Sequence, residues 1–74
     1  MTEREYFEAG YHNMTSHEPP GGVEQMAYWA GQWCRRHGIT PREYKRTGKS
    51  TFRVNRTLRL HFTTDLLLPK VTRI

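Results

Sequence analysis

The sequence predicts an α+β fold, in which an antiparallel helix hairpin is followed by a short helix and a small C-terminal β-hairpin or strand pair. Apolar residues recur at helical spacing in the first half of the chain and at a spacing of two between residues 52 and 62. The chain has 74 residues, which suits a single small domain with a thin core. We expect residues 1–38 to form the helix hairpin and residues 39–74 to form a basic α/β extension.

The first helix is predicted over Thr2 to Met14. Thr2 and Glu5 have the spacing of a capping box, in which the two side chains accept hydrogen bonds from each other's backbone N–H groups. Phe7, Tyr11 and Met14 follow at positions i, i+4 and i+7. These three residues therefore form one apolar stripe along the helix.

A second helix is predicted over Val23 to His37, after a loop at residues 15–22 whose two prolines and two glycines cannot continue a helix. The face of this helix that we expect to be buried combines small and apolar residues: Val23, Met26, Ala27, Ala30 and Cys34. The opposite face is polar, so the helix is amphipathic. Gly38 follows the last turn directly and is the expected C-terminal cap.

A short third helix is predicted from Thr40 to Arg46, because Thr40 is a favourable N-cap and Pro41 fits the first helical position. Gly48 ends this element. The period then changes to two, with apolar residues at alternating positions: Phe52, Val54, Leu58, Leu60 and Phe62.

The strand region has two interpretations. Asn55 and Arg56 mark a bulge or a tight turn, so one long strand over residues 51–62 and a two-stranded hairpin both fit the alternation. Two further short elements are predicted, a helical turn at residues 65–68 and an edge strand at residues 71–74.

Charge is separated along the chain. The net charge is +5, but residues 1–34 carry −4 and residues 35–74 carry +9, with nine basic residues and one acid in residues 35–59. Such a density of fixed positive charge favours a polyanion, because each neutralised phosphate releases condensed counterions. The sequence therefore predicts RNA or the ribosome as the partner, with DNA or an acidic protein surface as the alternatives.

The predicted contact surface lies within residues 35–59, where basic side chains are interleaved with aromatic ones. RNA-binding surfaces combine guanidinium groups, which bind phosphate, with aromatic rings that stack on unpaired bases. Tyr44 is the stacking candidate, although covering the core is an equally good interpretation, whereas Phe52 has the parity of the core. The predicted nucleic-acid-binding residues are Arg35, Arg36, Arg42, Tyr44, Lys45, Arg46, Lys49, Arg53 and Arg59.

Groups suited to catalysis or metal binding are sparse. The chain has one aspartate and one cysteine, and no pair of carboxylates is placed for acid–base chemistry. Structural zinc usually requires at least two thiolates, whereas Cys34 is the single thiol available. The sequence predicts a protein that is not an enzyme, with no cofactor and no metal site.

The N-terminal segment and the cysteine count predict a cytoplasmic location. Residues 1–8 are acidic and lack the apolar region of a signal peptide. No apolar stretch approaches the roughly 20 residues of a membrane-spanning helix, so no membrane partner is predicted. A single cysteine, which forms no internal disulfide, suits a reducing compartment.

A Trp-x-Gly-x-Trp pattern, formed by Trp29, Gly31 and Trp33 ten residues after Pro19, follows an Ala-Gly pair that ends at Gly10. Over about residues 5–36 this pattern resembles the ribosome modulation factor family of small bacterial proteins. The resemblance implies binding to the ribosome through small-subunit ribosomal RNA, and silencing of translation. Physically, the two glycines permit close approach of the two helices, and the tryptophans cover the thin core.

Three functional hypotheses follow. The first is a non-enzymatic RNA- or ribosome-binding regulator of translation. The second is a DNA-binding regulator of a phage type, with a helix-turn-helix in residues 23–46 and a wing in residues 51–62. The third is a phage protein that inhibits a host enzyme by protein–protein contact.

Overall fold

The computed structural model describes residues 2–13, 21–62 and 69–73, and the fold class is α+β as predicted. Its elements, in chain order, are α1 (Glu3–Tyr11), α2 (Gly22–Arg36), β1 (Lys45–Arg46), β2 (Thr51–Asn55), β3 (Leu58–His61) and β4 (Lys70–Arg73). The chain divides into two compact units, Met1–Thr40 with the helices and Pro41–Ile74 with the sheet. This division falls two residues beyond the predicted boundary between the helix hairpin and the extension.

The capping box predicted for α1 is present. The Thr2 hydroxyl accepts a hydrogen bond from the Glu5 backbone N–H at 3.2 Å, and the Glu5 carboxylate accepts one from the Thr2 N–H at 2.8 Å. The Thr2 N–H, followed by the Thr2 hydroxyl, lowers the pKa of the Glu5 carboxyl. The helix ends at Tyr11, three residues earlier than predicted.

The end of α2 is fixed by the glycine that the sequence identifies. Gly38 adopts a positive φ of 67°, which favours glycine because other residues carry a Cβ. The Ile39 N–H donates to the Cys34 carbonyl at 2.9 Å and the Gly38 N–H to the Arg35 carbonyl at 3.3 Å. This pair of bonds is a Schellman motif, and the predicted cap is confirmed.

The two helices approach each other at Gly10 and Gly31. A Cβ on Gly10 would overlap the Tyr28 carbonyl oxygen, and a Cβ on Gly31 would overlap the Phe7 carbonyl oxygen. Only glycine at both positions lets the backbones come this close, as the sequence predicts. The buried residues of the helices are Phe7, Ala9, Gly10, Ala27, Tyr28, Ala30, Gly31 and Cys34, whereas Trp29 and Trp33 are half-buried.

The second unit contains a four-stranded antiparallel sheet in the order β1-β2-β3-β4. Residues 51–62 form a hairpin rather than one long strand, with a turn at Arg56 and Thr57 and an irregular register between Arg53 and Asn55. The predicted edge strand is present as β4, paired with β3. The alternating apolar residues are buried as predicted, and the rings of Phe52 and Phe62 meet edge to face at 5.9 Å.

The prediction of a short helix from Thr40 to Arg46 is wrong, because no helix forms in these residues. The backbone N–H groups of Arg42 and Glu43 both donate to the Val54 carbonyl oxygen, at 3.0 and 3.3 Å, and the next residues form β1. Forming the first turn of a helix is costly, so a six-residue segment depends on tertiary contacts for its conformation. Here hydrogen bonds to β2 replace those that a helix would have supplied.

Some predictions fall outside the described residues. This group comprises Met14, Pro19 and the helical turn predicted at residues 65–68. Neither of the two described helices has the length and apolar composition that a membrane-spanning segment requires.

Candidate nucleic-acid interface

Three basic side chains lie side by side on the polar face of the sheet. Lys45 on β1 is directly opposite Arg53 on β2, and Arg53 is directly opposite Arg59 on β3. Side chains in such register lie about 5 Å apart at their Cβ atoms and point to the same face. The neighbouring pair Phe52 and Leu60 is buried, so the three cations occupy the opposite face. We call these residues the cation row.

The cation row is electrostatically unfavourable in the free protein. Like charges directly opposite each other on adjacent strands destabilise a sheet. Glu43 offsets part of this cost, since its carboxylate lies 3.0 Å from the Arg53 Nε. The Arg59 Nε is buried and has no hydrogen-bond partner among the described residues. An unpaired buried donor costs free energy, so this row is not explained by the stability of the sheet alone.

Arg53 also holds the turn between β2 and β3. Its Nε donates to the Asn55 carbonyl oxygen and its Nη2 to the Arg56 carbonyl oxygen, both at 3.2 Å. Within the turn, the Asn55 Oδ1 accepts from the Thr57 N–H at 2.9 Å and from the Thr57 hydroxyl at 3.2 Å. The Arg53 side chain is therefore already engaged within its own unit.

A cleft lies beside this turn. Its volume is about 640 Å³, and its lining residues are Arg42, Glu43, Asn55, Arg56 and Thr57. This volume is within the range of small-ligand pockets, roughly 300–1,000 Å³. Arg42 is one of the predicted binding residues, whereas the sequence assigns Arg56 only to a bulge or a tight turn.

The remaining predicted residues of the second unit are separate from the cation row. Tyr44 is half-buried and its ring lies 5.8 Å from that of Phe52, so it covers the core in this structure. The Arg46 Nη1 donates to the Gly48 carbonyl oxygen at 3.5 Å, and Lys49 is exposed in the connection between β1 and β2.

Arg35 and Arg36 belong to the first unit, in the last turn of α2, where positive charge suits the negative end of the helix dipole. The Arg35 guanidinium lies 5.9 Å from the centre of the Tyr11 ring, in a cation–π contact. A shallow cleft of about 190 Å³ beside them is lined by Gly10, Asn13, Gln32, Arg35 and Arg36.

The two units differ strongly in charge. Residues 1–40 contain three basic and five acidic residues, a net −2, whereas residues 41–74 contain nine basic and two acidic residues, a net +7. The positive charge of the chain is therefore concentrated in the unit that contains the sheet.

Reactive groups are few in the described part of the chain. Burial raises the pKa of the Cys34 thiol to about 12, so this sulfur is protonated and unreactive at neutral pH. Residues 2–13, 21–62 and 69–73 contain no group of three or more histidine, cysteine, aspartate or glutamate side chains placed to bind a metal ion.

No family model matches the chain, and neither the curated proteins nor the solved structures contain a match. The resemblance to the ribosome modulation factor family therefore stays a prediction.

Proposed function

We propose that this protein is a non-enzymatic, RNA-binding regulator that associates with RNA or the ribosome through the basic surface of residues 35–59 and modulates translation. The observation that carries the proposal is the cation row, in which Lys45, Arg53 and Arg59 lie in register on one face of the sheet. A polyanion bound there would relieve the repulsion between these side chains. Phosphate contacts would release counterions, which adds to the affinity.

The position of Tyr44 suggests which interactions supply the affinity. Because its ring packs against Phe52, we assign the affinity to phosphate contacts rather than to stacking on a base. Such binding follows the shape and charge of the nucleic acid more than its sequence. This preference suits a large, folded RNA with many closely spaced phosphates.

The helix-turn-helix alternative loses its second helix in this structure. Residues Lys45 and Arg46, which would belong to the recognition helix, form β1. The hairpin of β2 and β3 is present and would correspond to the wing. A wing without a recognition helix, however, makes few contacts in the major groove.

The test compares two sets of charge changes at fixed salt, using fluorescent structured RNA and duplex DNA. The variant Lys45→Gln/Arg59→Gln should bind RNA about tenfold more weakly, because it removes two phosphate contacts. The control Glu3→Gln/Glu8→Gln, in the acidic unit, should bind equally well or slightly better. Crosslinking and pull-down from bacterial lysate then asks whether ribosomal subunits accompany the wild-type protein.

The opposite result has a definite meaning. If the basic variant binds as the wild type does and the acidic variant loses a protein partner, the proposal is wrong and inhibition by protein–protein contact is the better explanation. Preference for duplex DNA at matched salt would favour the DNA-binding alternative.

A further inference from the structure

The cleft beside the turn of β2 and β3 has the donors of an anion site. Arg42 and Arg56 are both exposed, and among the described residues neither guanidinium makes a hydrogen bond or an ion pair. Their backbones are nonetheless fixed, since the Arg42 N–H donates to the Val54 carbonyl and the Arg56 carbonyl accepts from Arg53. Within the described part of the chain, two guanidinium groups without a partner thus belong to two anchored segments that line one cleft.

The other lining groups fit this assignment. The Asn55 Oδ1 accepts two hydrogen bonds from Thr57, so the Nδ2 group of Asn55 is the part of the amide left to donate to a ligand. The Glu43 carboxylate, which would repel an anion, is paired with the Arg53 Nε at 3.0 Å. Guanidinium groups bind phosphate oxygens in pairs through their planar forks.

We propose that this cleft binds a phosphodiester group of RNA, with Arg42 and Arg56 as its two cationic groups and the Asn55 amide as a neutral donor. This proposal rests on the function proposed above and adds a specific phosphate site to the general attraction of the cation row. Arg42 is among the binding residues that the sequence predicts, but the hydrogen bonds to Val54 are what bring its segment to the turn that contains Arg56.

The first experiment measures how affinity depends on salt, because that slope reports the number of phosphates contacted. The probe is a ten-nucleotide single-stranded RNA without a terminal phosphate, and the variant is Arg42→Gln/Arg56→Gln. Loss of two phosphate contacts should reduce the slope of log K against log salt by about 1.4. The control Lys70→Gln/Arg73→Gln removes the same charge from exposed positions on β4, outside the cleft, and should reduce the slope less than the cleft variant does.

A conservative variant separates charge from geometry. Arg42→Lys/Arg56→Lys keeps both charges but loses the planar forks, so we expect affinity between those of the wild type and the glutamine variant. All four side chains changed in the glutamine variants are exposed, and circular dichroism should show unchanged helix and strand content.

The second experiment tests the cleft without RNA. Inorganic phosphate is titrated into the full chain while NMR follows the backbone amides and the arginine Nε–H groups. We expect saturable shifts concentrated at Arg42 and at Asn55 to Thr57, and their loss in Arg42→Gln/Arg56→Gln.

The two experiments separate this inference from the proposed function. If RNA binds but the cleft and β4 variants change the slope equally, the cleft inference is overturned while RNA binding stands. If RNA does not bind but phosphate shifts the cleft residues, the anion site stands and the proposed function fails. Absence of both RNA binding and phosphate shifts overturns both.

Discussion

At the scale of single residues, Gly10 and Gly31 show the strongest constraint. Each lies where an added methyl group would meet a backbone carbonyl of the other helix, and a backbone atom moves aside only at the expense of the packing. The tryptophans on either side of Gly31 are half-buried, so close packing of the helices depends more on the glycines than the aromatic pattern alone suggests.

We expect Gly10→Ala and Gly31→Ala each to lower the free energy of unfolding by about 1–3 kcal/mol, which is typical of overpacked sites. Urea denaturation followed by circular dichroism at 222 nm measures this change. Gly48→Ala is the matched control, because the nearest atoms to a Cβ there belong to the Thr51 side chain at 3.5 Å or more. Glycine variants as stable as the control would show that the helices do not pack at this crossing.

Cys34 should be protected from modification in the folded protein. Because burial raises its pKa to about 12, almost no thiolate is present at pH 7, and the reaction with iodoacetamide should be much slower than in urea. For a group with a raised pKa, the contribution to stability is constant below the unfolded value of about 9 and decreases as the pH rises towards 12. Labelling at equal rates with and without urea would contradict the buried position.

At the level of secondary structure, the hairpin of β2 and β3 gives different surroundings to Arg53 and Arg59, which the sequence predicts alike as binding residues. Arg53 has a carboxylate and two carbonyl partners, whereas the Nε of Arg59 has none among the described residues. Both lie in the cation row. The first therefore stabilises the turn, while the second adds repulsion and an unsatisfied donor.

We expect Arg53→Gln to destabilise the protein by about 1 kcal/mol, since the partly exposed ion pair contributes little beyond the two hydrogen bonds. Arg59→Gln should leave the free energy of unfolding equal or raise it, because it removes a like charge opposite Arg53. Thermal unfolding of the two variants in parallel tests this contrast. If Arg59→Gln proves the more destabilising of the two, the cation row is a structural feature rather than a binding surface.

For the molecule as a whole, the separation of charge determines which of the two units is expected to contact a polyanion. The unit of residues 41–74 carries +7 and the unit of residues 1–40 carries −2. Favourable contact with phosphates is therefore expected from the sheet unit, and the acidic residues of α1 should oppose it.

We expect binding of single-stranded RNA to weaken steeply with salt. If about five phosphates are contacted, log K should fall against log salt with a slope near −3.5. Fluorescence anisotropy between low and physiological salt measures the slope, and glutamate in place of chloride checks for anion competition. Affinity that is independent of salt would eliminate the electrostatic basis of the proposed function.

Features that depend on local chemistry can be predicted from the order of residues along the chain. The capping box of Thr2 and Glu5, the glycine cap of α2 and the period-two alternation of the sheet each involve residues close in the chain. The concentration of basic residues within 35–59 is likewise evident from the sequence, because counting charges requires no structure.

Conformations and roles that depend on distant residues could not be predicted in this way, because they follow from tertiary contacts. Thr40 and Pro41 have the local preferences of a helix start. The Val54 carbonyl nevertheless accepts hydrogen bonds from the N–H groups of Arg42 and Glu43, and the segment leads into β1 instead of a helix. The same pairing determines which cations share a face and brings the segment of Arg42 to the turn of Arg56. Local sequence encodes the preferences of a short segment, whereas hydrogen bonds between strands determine which preference prevails.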